Sequence, residues 1–194
     1  MNTAVLMLAA GASTRMGQPK MFLTYKGKTF LQRTAEAATA VSDQCYAVAG
    51  SLAGEITLAL RPYNVKVINN PLWQNGMGSS IAAGMEGIAQ AGITPGAILI
   101  TVCDQPFIDD NLLQEMINTL QRSGKGIIAC TYNDTIGTPV LFTPTYFPLL
   151  AQLGGQHGAK KLVQQNPDDV ASIPFPLGGF DIDTPEDYER LQQL

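Results

Sequence analysis

Short apolar runs alternate with longer, helix-like stretches along almost the whole chain, and this alternation constrains the fold more than any other feature. Thr3–Leu8, Cys45–Ala49, Val65–Asn69 and Ala97–Val102 read as strands, and Gly126–Tyr132 and Val140–Phe142 as two more. Between them lie helical stretches. Thr29-Phe30-Leu31-Gln32 is a capping box that opens a helix to about Val41. Leu52–Leu60 stops near Pro62, and Ser79–Ala91 follows a glycine-rich loop. Asp110–Arg122 places Leu113, Met116, Ile117 and Leu120 on one face. His157–Gln165 reads as helical, and Thr184-Pro185-Glu186-Asp187 opens a last helix with an N-cap, a proline at the first position and acids in the first turn. Strand–helix–strand order implies an α/β layer sandwich with a largely parallel sheet. The 194 residues show no linker or repeat and are read as one domain spanning 1–194.

Composition removes several function classes. The 12 Lys and Arg residues form no cluster, and the net charge is −4, so neither a nucleic acid nor an anionic membrane surface is an expected partner. No apolar run reaches the length of a membrane span. The apolar Ala4–Ala12 run has no preceding cation and flows into a turn carrying Arg15 and Lys20, so it reads as a first strand rather than an export signal. Cys45, Cys103 and Cys130 are odd in number, widely spaced and without a CxxC. That disfavours disulfide and zinc frameworks and suits a cytoplasmic setting. Cys103 and Cys130 follow apolar runs and read as packing residues. His157 is the single histidine and reads as a loop residue, which argues against a Ser-His-Asp triad.

The first strand feeds Leu8-Ala9-Ala10-Gly11-Ala12-Ser13-Thr14-Arg15-Met16-Gly17-Gln18-Pro19-Lys20. A turn with glycines and hydroxyls can form a backbone nest for anions. Arg15 could fork onto phosphate oxygens, and Lys20 could add a point charge. Neither the Rossmann nor the Walker pattern is present, so a nucleotide would be held by a different loop.

This string resembles the signature loop of the nucleotidyltransferases that activate molybdenum cofactor, and Ala9-Ala10-Gly11 is the form of their cytidylyl branch, where the guanylyl branch usually has L-A-G-G. A methyl at Ala10 would narrow a base pocket and favour a pyrimidine. Further strings match in order from Leu8 to Leu191. Cys103-Asp104-Gln105-Pro106 ends a central strand, where open α/β sheets bind ligands, and Asp104 is placed to hold Mg²⁺. The segment from Asn70 to Ser80 (N-P-x-W-x-x-G-M-G-S-S) is similar to the family's base-binding segment. This makes Ser79 and Ser80 candidates for nucleobase contact and Gly78 a point of close approach; a serine N-cap and a tryptophan plugging the core would explain the same residues structurally.

In Asp181-Ile182-Asp183, a strand would point both acids to one face. The resemblance implies that Asp183, with Asp181 second, completes the metal site; an ordinary acid at a helix N-terminus is the other reading. Gly137-Thr138-Pro139 resembles the family's acceptor-side segment. Gly155-Gln156-His157-Gly158-Ala159-Lys160 follows, with Gln156 where an acid is usual and Lys160 where Arg is usual. Lysine cannot reproduce a bidentate arginine grip, so this departure bears on the acceptor rather than on the nucleotide chemistry.

The resemblance implies a three-layer α/β/α sandwich with a mixed, mostly parallel sheet, like that of the nucleotide-diphosphosugar transferases. It implies that Leu8, Ala9, Ala10, Gly11, Ser13, Gly78, Ser79 and Ser80 bind nucleotide, and that Arg15, Lys20 and Asp104 are catalytic. Gly137, Pro139, Gly158 and Lys160 would bind the acceptor. The implied reaction is transfer of CMP from CTP to a molybdopterin-type phosphate with Mg²⁺, with a molybdenum hydroxylase as eventual partner. A guanylyl- or sugar-phosphate nucleotidyltransferase of the same fold remains open, as does a non-catalytic molybdenum cofactor chaperone.

Overall fold

The computed structural model describes residues 2–11, 16–155, 158–180 and 182–194. Arg15, Ser13, Asp181, Gln156 and His157, singled out above, lie outside the described residues. The elements run β1 Thr3–Ala9, β2 Thr24–Tyr25, β3 Lys28–Thr29, α1 Phe30–Val41, β4 Cys45–Ala49, α2 Ala53–Leu60, β5 Val65–Asn69 and α3 Met77–Gln90. They continue with β6 Ala97–Val102, α4 Asp110–Ser123, β7 Ile127–Tyr132, β8 Thr135–Phe142, α5 Phe147–Ala151, α6 Lys160–Gln165, β9 Val170–Pro174 and α7 Pro185–Gln192.

Among the described residues, seven strands form one sheet in the order β5-β4-β1-β6-β8-β7-β9. β1 pairs in parallel with β4 and β6, β4 with β5, and β7 with β9; β8 runs antiparallel to both neighbours. The sheet is therefore mixed and mostly parallel, as expected. Side-chain alternation splits each central strand between two cores. From β1, Val5 and Met7 face a core that also holds Leu31 and Ala35 of α1, Ile56 of α2 and Leu113 of α4. Ala4 and Leu6 face the opposite core, with Ile81 and Ile88 of α3 and Leu162 of α6. Helices on both faces explain why β1 and β6 are buried at every residue. Each fully buried Leu or Ile contributes roughly 1.5–3 kcal/mol.

The capping box of α1 is present on both sides: Gln32 N donates to Thr29 Oγ1 at 3.2 Å, and Thr29 N donates to Gln32 Oε1 at 2.9 Å. Four expectations need correction. α3 begins at Met77, with Gly76 rather than a serine as its N-cap. α6 begins at Lys160 rather than at residue 157. β8 starts five residues before Val140, because its polar first half pairs with the end of β7 instead of entering the core. Residues 182–183 are irregular and not a strand, because Ile182 plugs a third cluster formed by Met16, Leu23, Tyr25, Phe30 and Leu191. The sequence reading also missed β9, an edge strand where Pro174 leaves no ladder bond unmet, and the proline-containing α5.

Candidate active site

β1, β4 and β5 extend the sheet to one side, after which β6 returns to the other side of β1. The strand order therefore reverses between β1 and β6, and the crevice beyond their carboxyl ends is where open α/β sheets take ligands. Leu8 lies opposite Val102, and Cys103 N donates to Leu8 O at 3.2 Å. The two strands thus end side by side and release Ala9-Ala10-Gly11 and Asp104 onto one pocket of about 300 Å³. Lys20 and Ser80 also line it.

Lys20 heads a short 3-10 turn whose Met21 is buried in the core, which fixes the base of the lysine. Its Nζ donates to Asp183 Oδ1 at 2.5 Å, with the side chains 15% and 33% exposed. This contact brings an acid 79 residues beyond Asp104 to a lysine that lines the pocket. Asp183 is held from behind: its backbone N donates to Asp187 Oδ2 at 3.2 Å. Thr184 and Asp187 form a reciprocal capping box at the start of α7. Hydrogen bonds from the Thr184 hydroxyl and backbone N–H hold the Asp187 carboxyl below the usual carboxylate range.

The loop from Asn70 to Ser80 is organised by a buried asparagine. Asn70 Nδ2 donates to Ser79 Oγ at 3.1 Å and to Ser80 Oγ at 3.2 Å, while its Oδ1 accepts from Leu72 N at 3.0 Å. Gly76, with φ +100°, makes the turn into α3 that a side chain would strain. Of the paired serines, Ser80 borders the pocket, whereas Ser79 lies on the opposite side of the helix start, its Oγ donating toward Gly76 O at 2.8 Å. Gly78 approaches protein backbone: a Cβ there would lie 2.7 Å from Gly154 O. Trp73 does not plug the core. It is half-buried across Gly50 and borders the pocket together with Gln74 and Met77. Those three were not singled out as site residues in the sequence, although Trp73 is the single tryptophan inside a glycine-rich loop.

The acceptor-side strings reach this rim indirectly. A Cβ at Gly158 would lie 2.6 Å from Met77 Sδ, so the 158 segment abuts the pocket wall. Gly137 and Pro139 sit in β8 around Thr138, whose Oγ1 donates to Gln105 Oε1 at 3.3 Å. Lys160 Nζ donates to Thr135 Oγ1 at 2.7 Å, at the start of β8. Cys103 forms part of the pocket floor, but burial, and then the Asp104 charge, push its thiol far up, so it stays protonated and is no nucleophile. Burial pushes the Cys130 thiol up to about 12.

Among the described residues there is no group of three or more His, Cys, Asp or Glu side chains able to hold a metal ion. The rim offers hard carboxylate oxygens from Asp104 and, through Lys20, Asp183. Mg²⁺ and similar cations are commonly taken by one or two carboxylates together with substrate phosphates and water, so this donor set fits such an ion and not a zinc cage. No helix among the described residues is long and apolar enough to cross a membrane.

The mixed sheet with helices on both faces is the fold of solved structures that include a nucleotidyl transferase from Methanothermobacter thermautotroptrophicus, at 20% identity and a TM-score of 0.80. Residues 5–170 match the MobA-like NTP transferase domain, and the chain belongs to that family. It is 30% identical over 202 residues to nicotine blue oxidoreductase of Paenarthrobacter nicotinovorans, covering 96% of this chain and 94% of that protein. It is 33% identical over 147 residues to bifunctional protein GlmU of Bifidobacterium animalis subsp. lactis; the match covers 74% of this chain but only 30% of GlmU. Among solved structures, Rv0371c of Mycobacterium tuberculosis H37Rv superimposes with a TM-score of 0.79 at 30% identity, covering 100% of this chain and 98% of that one. A second structure of that protein is a complex with manganese, with a TM-score of 0.74 at 29% identity.

Proposed function

We propose that the protein transfers CMP from CTP to the terminal phosphate of a molybdenum-molybdopterin acceptor, releasing pyrophosphate and forming the cytosine dinucleotide. The observation that supports this reading is a crevice floored by Leu8–Gly11 and lined by Lys20 and Asp104, with Asp183 paired to Lys20. The nucleophile is a phosphate monoester. With a second pKa of about 6 it is largely dianionic near neutral pH and needs no general base. This suits a chain with one histidine.

Catalysis is then a matter of positioning and charge neutralisation. Lys20 grips the triphosphate and steadies the leaving pyrophosphate, with Arg15 as its partner. Asp104 and Asp183 would hold Mg²⁺, with Asp181 as the further candidate. When bound, such an ion withdraws charge from the phosphate oxygens. Leu8 to Gly11 and Ser13 form the nucleotide loop. Ala10 and Ser80 shape the base end, with Ser79 and Gly78 supporting it from behind. Gly137, Pro139, Gly158 and Lys160 form the acceptor side. The product would be handed to a molybdenum hydroxylase, and the setting would be cytoplasmic.

Pyrophosphate release with Mg²⁺ and molybdenum cofactor, measured for CTP, GTP, ATP and UTP, tests the reading. Turnover with CTP alone is expected, and Ala10→Gly should raise the share of GTP turnover. Turnover with GTP alone in the unaltered protein would move it to guanylyl transfer. Silence with every nucleotide, in protein that binds CTP, would overturn the acceptor.

A further inference from the structure

Asp104 and Asp183 come from distant parts of the chain, and Asp183 belongs to no strand whose register could fix it. The residue next to Asp104 supplies the connection. Gln105 Nε2 donates to Gly178 O at 3.0 Å and to Tyr132 Oη at 3.4 Å, and Gln105 Oε1 accepts from Thr138 Oγ1 at 3.3 Å. One carboxamide therefore joins the loop after β6, the end of β7, the Gly137-Thr138-Pro139 string of β8, and the segment 176–180.

That last segment is the strap that leads to Asp183. It turns through a 3-10 helix, Pro176–Gly179, on the face of Tyr132 and Phe175, where a Cβ at Gly178 would come within 2.6 Å of both rings. Asn133 Nδ2 donates to Gly179 O at 3.3 Å. Phe180 then meets Phe107, from the same loop as Gln105, edge to face at 5.6 Å. Ile182 is buried, and Asp183 arrives at Lys20. Among the described residues of this chain of contacts, Gln105 stands directly beside one of the two acids and also hydrogen-bonds the strap that carries the other.

We propose that Gln105 is the positioning residue of the site. Its carboxamide fixes the strap against the loop of Asp104 and so sets the separation at which the two carboxylates receive a divalent cation. The same amide, through Thr138, ties the acceptor-side string to that spacing. This rests on the assignment of Asp104 and Asp183 as cation ligands made above. Groups that orient ligands without touching the ion typically change metal affinity by about 10- to 100-fold when removed.

The test uses Gln105→Met, which keeps the bulk and removes the hydrogen bonds. Mn²⁺ binding is titrated by electron paramagnetic resonance in the presence of CTP, and amide hydrogen exchange is followed across residues 176–183 and 97–102. The variant is expected to bind Mn²⁺ about tenfold more weakly or worse, to exchange faster across 176–183, and to exchange at the wild-type rate across β6. Should Gln105→Met fail to fold, Gln105→Asn, one methylene shorter and so withdrawn from Gly178 O, carries the same test. Wild-type Mn²⁺ affinity in the variant overturns the proposal, whether or not exchange quickens, because the clamp would then be merely structural. If the unaltered protein itself binds no Mn²⁺ with CTP, the assignment of the two acids falls instead, and unchanged exchange across 176–183 would still overturn the clamp.

Discussion

Asp104 follows a strand that is buried along its whole length and paired on both sides, whereas Asp183 follows irregular chain held by side chains. The first is delivered by sheet register: once Leu8 lies opposite Val102, the backbone leading into Asp104 is fixed. The second depends on a plugged isoleucine, a capping box and the Lys20 contact, each of which can fail separately. Two ligands of one site can therefore differ in how far function and stability are coupled. At the end of β6 the sheet fixes the backbone that carries the acid, while at the strap the groups that hold the acid also hold α7 onto the fold.

The largest expected effect isolates the β6 side. Asp104→Asn should lower kcat on the order of 100-fold or more and leave the thermal midpoint nearly unchanged; a large fall in the midpoint would mean that Asp104 is structural. A smaller and mixed effect is expected at the strap. Thr184→Ala removes the α7 cap, and urea unfolding should show a loss of about 1 kcal/mol. Activity should fall in the same variant through the displaced Asp183, and full activity would show that the capping box does not position it.

The smallest effect is the dependence on acid. The Asp187 carboxyl is held below its ordinary value of 3.8 by the Thr184 bonds. Asp169, which bridges Tyr146 and the start of β7, is likewise held below 3.8 by the Tyr146 hydroxyl and Gly126 N–H. Both are depressed in the folded state, so the stability they contribute is complete above 3.8 and is lost as pH falls through the lower folded values. Unfolding midpoints measured from pH 6 down to pH 2 should decline below about 4, and less steeply in Asp187→Asn. An identical decline in that variant would remove Asp187 from the acid response.

Much of the fold is legible in the sequence, because periodicity and caps are local. β4, β5 and β6 have the bounds read from their apolar runs, and the cap signals of α1 and α7 lie where the sequence puts them. The position of Asp104 past a central strand was legible for the same reason. β9 was not, because its Val-Ala-Ser-Ile-Pro run is too mixed to stand out and becomes a strand only by pairing with β7. Trp73, Gln74 and Met77 were passed over as pocket residues because spacing does not say on which side of a helix start a side chain emerges.

The sequence by itself determined most of the strands and helices and several of their ends, since burial patterns and capping act over a few residues. It also contained the string Leu8–Lys20 and the acids at 104 and 183 as chemically capable groups. Only the tertiary structure decided that β6 returns beside β1, that Lys20 meets Asp183 across 163 residues, and that Gln105 joins Gly178 to Thr138. Those contacts depend on chain segments far apart in sequence, which become neighbours only when both faces of the sheet are covered and the crevice between β1 and β6 is left open.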